Sequence, residues 1–467
     1  MRTGWLAVVA VIALAVGAVW WFKLEPGPPR VAFAVGGERI GRTASGDVTV
    51  SSSGRPPLRW VEVRLAAGGQ SVPLYREEFP PDAPPTREKS IHFAADLTQA
   101  GVAEGPATLE VAADTYAWHL LGGARGAVAS RDVTIDSTPP RIDVLTTQHN
   151  LRLGGAGLVL ARVSADAVDV QVVVDRYVFP AVRGYFADPE ATLVLFAVPQ
   201  DLTAQARPLL RASDAAGNAT EVVLPVTIKD RNFPERQMGI DDAFLQRKVP
   251  EILTKVGKPV PVDLKDGYLT VNREVRRESE DKLHALTAHS AAEPLWTGPF
   301  HRQSNAAPMS AFADRRVYIY KGETIDRQTH LGYDLASLQR ASVEAAQNGV
   351  VVFAGYNGIY GDTVVIDHGF GVASVYGHLS SIAVKEGQSV KVGETIGQTG
   401  ESGLAGGDHL HFSIMLRGNH VDPVEWWDAH WLRDQVTSKL ASLPVAKNAQ
   451  TAAAPDAAAA ADGQAQP

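Results

Sequence analysis

Five residues in three segments of the sequence carry side chains that can bind a metal ion or transfer a proton. They are His330 and Asp334 in the first segment, His378 in the second, and His409 and His411 in the third. Two histidines with one carboxylate form a known catalytic zinc set, which leaves a fourth position for water. Because the chain contains no cysteine, imidazole and carboxylate are the side chains available to a transition metal.

The spacing within each segment indicates how these side chains could converge. Residues two apart in a strand point to the same face, so His409 and His411 would share one face. His330 and Asp334 would share a helix face, but Gly332 and the β-rich surroundings favour a loop or a short extended segment. Each segment also has a simpler interpretation, as exposed strand histidines, a local hydrogen-bonded pair or a capped turn. The three segments together favour one shared site.

The order of these motifs resembles that of a known enzyme family. A His-x-x-x-Asp motif, a histidine at the end of an intervening strand and a His-x-His motif follow one another between about residues 299 and 434. This pattern resembles the lysostaphin-type, or LytM-like, zinc metalloendopeptidases of peptidoglycan. The resemblance implies a compact β domain of the barrel-sandwich type over residues 299–434, with Zn²⁺ as its cofactor.

The resemblance also implies a role for each of the five residues. His330, Asp334 and His411 would bind zinc, and His378 and His409 would be the catalytic pair. Zinc lowers the pKa of a bound water to about 7, which makes the water a nucleophile at neutral pH. One imidazole would take the proton of this water and the other would steady the developing oxyanion. Which of the two histidines is the general base stays open.

Three features bear on cleft shape, substrate preference and latency. Ser413 stands where relatives often have glutamate, and residues 312–315 (Phe-Ala-Asp-Arg) stand where many have Phe-Gly-x-Arg. Neither difference removes one of the five residues. Some relatives are latent because an upstream asparagine fills the open zinc position. Asn305 is the candidate for that ligand here, and Asn272 is an alternative.

The rest of the chain is predicted to position this domain. Residues 31–137 and 138–230 have short alternating apolar runs separated by turn residues, which predicts two immunoglobulin-like β-sandwich modules, termed here the first and second modules. They would serve as a spacer or would bind a protein partner. Residues 231–298 have a helical period and are termed the helical connector. The prediction is therefore a mainly β chain with a short helical connector.

Both ends of the chain have distinct compositions. Residues 4–22 are uncharged and are long enough for a transmembrane helix. We expect residues 1–30 to be an uncleaved membrane anchor and linker, with a cleaved signal peptide as the alternative. Residues 435–467 are predicted to be a terminal segment followed by a disordered alanine-rich tail.

These predictions combine into one functional hypothesis. The net charge of −8 argues against a nucleic-acid partner. The expected protein is a membrane-anchored zinc metalloendopeptidase that cleaves stem peptides or cross-links in peptidoglycan. A single pass through the inner membrane would leave most of the chain in the periplasm of a Gram-negative bacterium. The alternative is a non-catalytic LytM-like regulator that binds the cell wall or activates a partner hydrolase.

Overall fold

The computed structural model describes residues 9–17, 28–34, 38–53, 56–98, 101–117, 127–147 and 149–446. Residues 9–17 are helical, while the rest of the proposed anchor at 4–22 lies outside the described residues. Within those ranges, no helix has the length and apolar character needed to span a membrane. The alanine-rich tail beyond residue 446 also lies outside them. The chain divides into two compact units, and it is mainly β, as predicted.

The first unit contains residues 1–140 with two short later segments, 166–168 and 213–220. Its sheets have the orders β1-β3-β6 and β2-β8-β7-β4-β5, and their buried residues form one apolar core. Strand β4 illustrates how this core forms: Val61, Val63 and Leu65 are buried, while the residues between them are partly exposed. Alternate side chains of a strand point to opposite faces of the sheet, so the apolar set lies on the core face. The strands are β1 (Arg30–Ala34), β2 (Arg39–Ile40), β3 (Thr43–Ser51), β4 (Leu58–Ala67), β5 (Gln70–Glu78), β6 (Glu88–Asp96), β7 (Gly105–Thr115) and β8 (Ala127–Ile135).

The second module forms two four-stranded sheets, with orders β14-β15-β11-β9 and β13-β12-β16-β17, and a parallel pair, β10-β18. Every residue of β15 is buried, and so is nearly every residue of β11. The strands are β9 (Ile142–Val144), β10 (His149–Arg152), β11 (Ala156–Val163), β12 (Ala167–Val174), β13 (Tyr177–Pro180), β14 (Val182–Arg183), β15 (Ala191–Ala197), β16 (Leu209–Asp214), β17 (Ala219–Val223) and β18 (Val226–Lys229).

The second unit, residues 141–165, 169–212 and 221–467, joins most of the second module to the connector and the C-terminal domain. The terminal segment packs on the module, since the Ala187 amide donates to the Pro444 carbonyl over 2.9 Å. Arg231 pairs with Asp422, which caps the helix Pro423–Trp427. Buried strands with apolar residues on both faces are expected where a sheet is covered on both sides. This part of the module is therefore packed on the domain that carries the five residues.

The helical connector contains a strand and three helices. Strand β19 (Glu235–Ile240) precedes α1 (Asp242–Lys255), α2 (Leu264–Thr270) and α3 (Arg276–Ala288), and a π-helical turn joins the last two. Asp241 caps α1 by accepting a hydrogen bond from the Phe244 amide over 2.7 Å. One face of these helices packs on the sheet of the C-terminal domain. The buried residues of that shared core include Leu245, Val249, Ile252, Tyr268, Val271, Val275, Leu283, Val365, Val375 and Met415.

The C-terminal domain is built on an eight-stranded sheet of order β20-β23-β31-β27-β26-β25-β29, with β32 paired to β31. Smaller sheets have the orders β19-β21-β22 and β24-β30-β28. The strands are β20 (Ala307–Ser310), β21 (Arg315–Tyr320), β22 (Glu323–Thr329), β23 (Tyr333–Ala336), β24 (Ser342–Glu344), β25 (Gly349–Tyr356), β26 (Asp362–Asp367), β27 (Val372–Leu379), β28 (Ser381–Ile382), β29 (Ser389–Val390), β30 (Thr395–Gln398), β31 (Leu410–Leu416) and β32 (Asn419–Val421). The helices that follow are α4 (Pro423–Trp427), α5 (Ala429–Leu432) and α6 (Ser438–Leu440), with a π-helical turn between the last two.

A buried carboxyl group lies where the second module meets α4. Glu425 accepts a hydrogen bond from the Ala156 amide over 2.9 Å, and burial raises its pKa to about 8. An acid whose pKa is higher in the folded state binds more protons there than in the unfolded chain. The free energy of unfolding should therefore fall as pH rises from about 4.5 to about 8.

We expect the substitution Glu425→Gln to remove this pH dependence. The amide keeps an acceptor for Ala156 but cannot ionise. Between pH 5 and pH 8, the free energy of unfolding of the variant should therefore rise by about 3–5 kcal/mol relative to that of the wild type. Urea unfolding at both pH values would measure the difference, with the exposed Glu323→Gln as control. Parallel pH profiles for wild type and Glu425→Gln would contradict the prediction.

Candidate active site

The register of the central sheet brings the three segments of the sequence together. Strands β23 and β31 are antiparallel neighbours, and Asp334 lies directly opposite His411. Strand β27 lies on the other side of β31, where Gly377 is the partner of His411 and places His378 next to it. His330 lies just before β23, and His409 just before β31. All five residues therefore meet at the ends of three adjacent strands.

His330, Asp334 and His411 form a compact buried group. His330 Nε2 lies 3.0 Å from Asp334 Oδ1 and 3.1 Å from His411 Nδ1. His411 Nδ1 lies 3.1 Å from the same carboxylate oxygen. These three residues form a group that can hold a metal ion, with one ligand atom from each.

In each of the four histidines, one ring nitrogen lies within hydrogen-bond distance of an oxygen atom outside the metal-binding group. Nδ1 of His330 lies 2.9 Å from the Ala311 carbonyl, and Nδ1 of His378 lies 2.8 Å from the Ser402 carbonyl. Nδ1 of His409 lies 2.8 Å from the Gly407 carbonyl. A carbonyl can only accept, so each of these Nδ1 atoms carries a hydrogen and leaves Nε2 as a lone pair. His411 has the opposite tautomer, as described next.

Ser413 fixes the tautomer of His411. Its hydroxyl donates to the Leu331 carbonyl over 3.0 Å, so its oxygen accepts from Nε2 of His411 over 2.9 Å. Nδ1 of His411 is then a lone pair that faces His330 and Asp334. The position where relatives often carry glutamate is thus filled here by a hydroxyl that accepts a hydrogen bond from His411. A Cβ atom at Gly332 would overlap both the His411 ring and the Ser413 hydroxyl, so this position requires glycine.

These tautomers test whether the group fits a cation. Two imidazole lone pairs and a carboxylate oxygen face one another at 3.0–3.1 Å without a hydrogen between them. Such acceptors repel unless a cation lies among them. Ligand atoms in a tetrahedral zinc site, with bonds of about 2.0 Å, are about 3.3 Å apart. The donor set and its spacing therefore fit zinc.

Asp334 is also tied to a buried guanidinium. Arg316 donates from Nη2 to Asp334 Oδ2 over 2.6 Å, while Oδ1 faces the histidines. Burial alone would raise the pKa of Asp334, but the charge of His330 and hydrogen bonds from His330, His409 and His411, in the forms of these imidazoles that are protonated when no cation is bound, hold this pKa well below its usual range. Asp334 is therefore an ionised carboxylate with one oxygen directed to the metal-binding group and the other held by Arg316.

His378 and His409 lie side by side at the edge of this group. Their ring centroids are 4.8 Å apart, and His409 Nε2 is 3.5 Å from Asp334 Oδ1. Burial and the neighbouring His409 and His411 lower the pKa of His378 well below its usual value. The pKa of His409 is raised because hydrogen bonding and charge from Asp334 outweigh its burial. His378 also has a φ of 61°, a strained conformation for a residue with a Cβ atom.

A second layer connects the site to the helical connector. The Tyr360 ring lies against His411 with centroids 5.0 Å apart, and its hydroxyl donates to the partly buried carboxylate of Glu280 in α3. His420 binds the other oxygen of Glu280 over 2.9 Å. Nothing in the local sequence around Tyr360 or Glu280 indicates this link, because the two residues are 80 positions apart.

The two asparagines considered as latency ligands lie in different environments. Asn305 is exposed in a turn with a φ of 51°. Asn272 is fully buried, and its amide donates to Asp326 over 2.8 Å and accepts from Arg276 over 2.6 Å. The hydrogen bonds that the structure gives to His330, Asp334 and His411 come from neither asparagine. Latency through Asn305 stays a prediction.

A cleft of about 640 Å³ opens onto Asp334, His378 and His409. Its opposite wall comes from the helical connector and from β19 and β21. The sequence predicted the connector as a link between domains, whereas the structure makes it part of the surface that a substrate would contact. The connector residues that line the cleft are Arg236, Met238, Gly239, Ile240, Asp241, Ala243, Phe244, Arg247, Tyr268 and Arg276.

Residues 328–423 match the model of peptidase family M23. DD-carboxypeptidase/endopeptidase Mpg of Neisseria meningitidis serogroup B is 42% identical over 95 residues, which are 20% of this chain and 22% of that protein. Peptidoglycan DD-endopeptidase ShyC of Vibrio cholerae serotype O1 is 35% identical over 114 residues, 24% of this chain and 26% of that protein.

The chain thus spans about a quarter or less of the length of these curated relatives. Among solved structures, a zinc containing peptidase from Vibrio cholerae is 30% identical and aligns over 28% of this chain and 40% of that one, with a TM-score of 0.25. The five converging residues all lie between 328 and 423. Residues 328–423 of this chain are therefore a peptidase family M23 domain.

Proposed function

We propose that this chain is a zinc-dependent endopeptidase that cleaves peptide bonds in the stem peptides or cross-links of peptidoglycan. The observation that carries the proposal is the set of inward lone pairs on His330 and His411 beside the ionised Asp334. The names of the curated relatives, which include peptidoglycan DD-endopeptidases, support the substrate class.

The five residues divide into a binding set and a catalytic pair. His330, Asp334 and His411 would hold zinc, which supplies Lewis-acid polarisation and a more acidic water when bound. His378 and His409 line the cleft, and Nε2 is the proton-accepting nitrogen of each because their Nδ1 hydrogens are bound to carbonyl groups. Either imidazole can accept a proton at Nε2 and pass it to the leaving amine. Their fixed tautomers reduce the reorganisation that this transfer requires.

The proposed location is the periplasmic side of an inner membrane. The uncharged residues 4–22 support an N-terminal anchor, and a peptidoglycan substrate requires a domain outside the cytoplasm. A non-catalytic regulator is less well supported, because such family members typically lose zinc ligands and this chain retains all five residues.

Incubation of the full-length, zinc-loaded protein with purified sacculi would test the proposal. We expect release of muropeptides with loss of cross-linked dimers, and we expect a chelator to stop the reaction and added zinc to restore it. Mass analysis of the products would identify the bond that is cut. Intact sacculi from a protein that binds no zinc would contradict the proposal and favour the regulator, whereas intact sacculi with one zinc bound would indicate the predicted latency.

A further inference from the structure

The wall of the cleft opposite the histidines has its own chemistry. It comes from β19, α1, α2 and α3, which all lie outside the matched residues 328–423. Met238, Ile240 and Phe244 give it an apolar part, and several arginines give it positive charge. A wall of this composition is suited to a peptide that carries a negative charge.

Two of these arginines have no carboxylate partner among the described residues. Arg247 is exposed on α1, and the structure gives its guanidinium no hydrogen bond or ion pair. Arg276 donates only to the carbonyl and amide oxygens of Asn272. By contrast, Arg236 pairs with Asp314, and Arg316 pairs with Asp334.

The acidic residues that line the same cleft are already engaged elsewhere. Asp241 accepts the hydrogen bond that caps α1, and Asp408 accepts from the Arg340 amide over 3.1 Å. Asp334 belongs to the metal-binding group. Neither Asp241 nor Asp408 forms an ion pair with Arg247 or Arg276 among the described residues, so both guanidinium groups keep N–H donors for a ligand.

A buried hydroxyl provides an independent sign of a ligand. Tyr268 is fully buried and lines the cleft, and its hydroxyl has no hydrogen-bond partner in the described chain. An unsatisfied buried hydroxyl costs free energy, which a hydrogen bond to a ligand would recover. Burial raises the pKa of Tyr268, which keeps its hydroxyl protonated as a donor. Arg276 lines the same cleft as Tyr268.

We propose that Arg247, Arg276 and Tyr268 form a subsite that binds a carboxylate of the substrate peptide. Guanidinium groups bind carboxylates through paired, charge-assisted hydrogen bonds, and the phenol adds a third donor. This inference rests on the proposed function and adds a substrate preference to it. The carboxylate has two possible sources: the C-terminus of a stem peptide, or a side chain next to the scissile bond.

Three synthetic cross-linked peptides would test the subsite and separate these sources. One has both carboxylates free, one has a C-terminal amide, and one has an amide at the side chain. Hydrolysis by the full-length zinc-loaded protein would be measured for wild type, Arg247→Ala and Tyr268→Phe. Arg277→Ala is the matched control, because Arg277 is exposed on α3, pairs with Asp281 and does not line the cleft.

We expect both cleft variants to lose about 10- to 100-fold in kcat/KM on the free peptide, chiefly through KM. For the peptide whose recognised carboxylate is replaced by an amide, kcat/KM should already be low with the wild type. The variants should lower that kcat/KM little further. Tyr268→Phe should unfold at the same temperature as wild type or higher, since it removes an unsatisfied hydroxyl. Equal losses on all three peptides, or losses as large for Arg277→Ala, would overturn the subsite.

Calorimetric binding of the same peptides separates failure of the subsite from failure of the proposed function. Binding that needs the carboxylate and Arg247, without hydrolysis, would support the subsite and contradict the endopeptidase. Equal rates of hydrolysis for the free and amidated peptides would support the endopeptidase and overturn the subsite. Neither binding nor hydrolysis would overturn both.

Discussion

Replacement of His409 with alanine is expected to lower the rate of peptidoglycan cleavage by about 10²–10⁴-fold while one zinc stays bound per chain. The reason is that His409 lines the cleft, with Nε2 3.5 Å from Asp334 Oδ1, and lies outside the compact group of His330, Asp334 and His411. The variant therefore loses a proton acceptor and keeps every proposed ligand. Muropeptide release and zinc content, measured on the same preparation, would check both parts.

His289 offers a matched control for this experiment. It is an exposed histidine just after α3, and His289→Ala should release muropeptides at the wild-type rate. If His409→Ala retained wild-type activity, its place in the catalytic pair would be wrong. If it lost zinc, His409 would belong to the ligand set instead.

The substitution Asp334→Ala is expected to cause two separate defects. Removal of a direct ligand should weaken zinc binding by more than about 100-fold, because even outer partners of a ligand contribute 10- to 100-fold. The same change leaves the buried Arg316 guanidinium without its carboxylate, which should lower the free energy of unfolding by about 3–5 kcal/mol. Zinc titration and denaturant unfolding in the presence of a chelator would measure the two defects separately.

A double variant distinguishes the ion pair from the metal site. Asp334→Ala combined with Arg316→Met removes the unpaired charge and keeps an unbranched side chain in its place, so most of the lost stability should return. Zinc binding should remain as weak as in the single variant. Stability that does not recover, or zinc affinity that does, would show that the roles given to the two Asp334 oxygens are wrong.

The five site residues were predicted from the sequence because their chemistry and spacing are local properties. His409 and His411 share a face of one strand segment, and the motif order matches a family in which such residues converge. The residues that support the site were not predicted. Ser413 drew attention only as a difference from relatives, and its hydrogen bond to His411 depends on the backbone at Leu331, which approaches it in the folded chain.

The helical connector shows the same limit at a larger scale. Its period predicted helices, and helices are present at residues 242–288. The period did not indicate what the helices pack against, and the structure buries Val271, Val275 and Leu283 against the sheet of the C-terminal domain. An amphipathic period indicates that one face is buried, but it does not specify which partner covers that face.

The sequence by itself determined the mainly β character and the helical period of the connector, because each depends on residue types at short spacing, and it predicted the five residues through the order of their motifs and the resemblance to a known family. Only the tertiary structure decided that His330 and His411, 81 positions apart, bring lone pairs within 3.1 Å, since that distance depends on the register of β23, β31 and β27. It also decided that the connector walls the cleft and that Arg247, Arg276 and Tyr268 line it. Contacts of this kind arise from packing between distant segments, which local spacing does not specify.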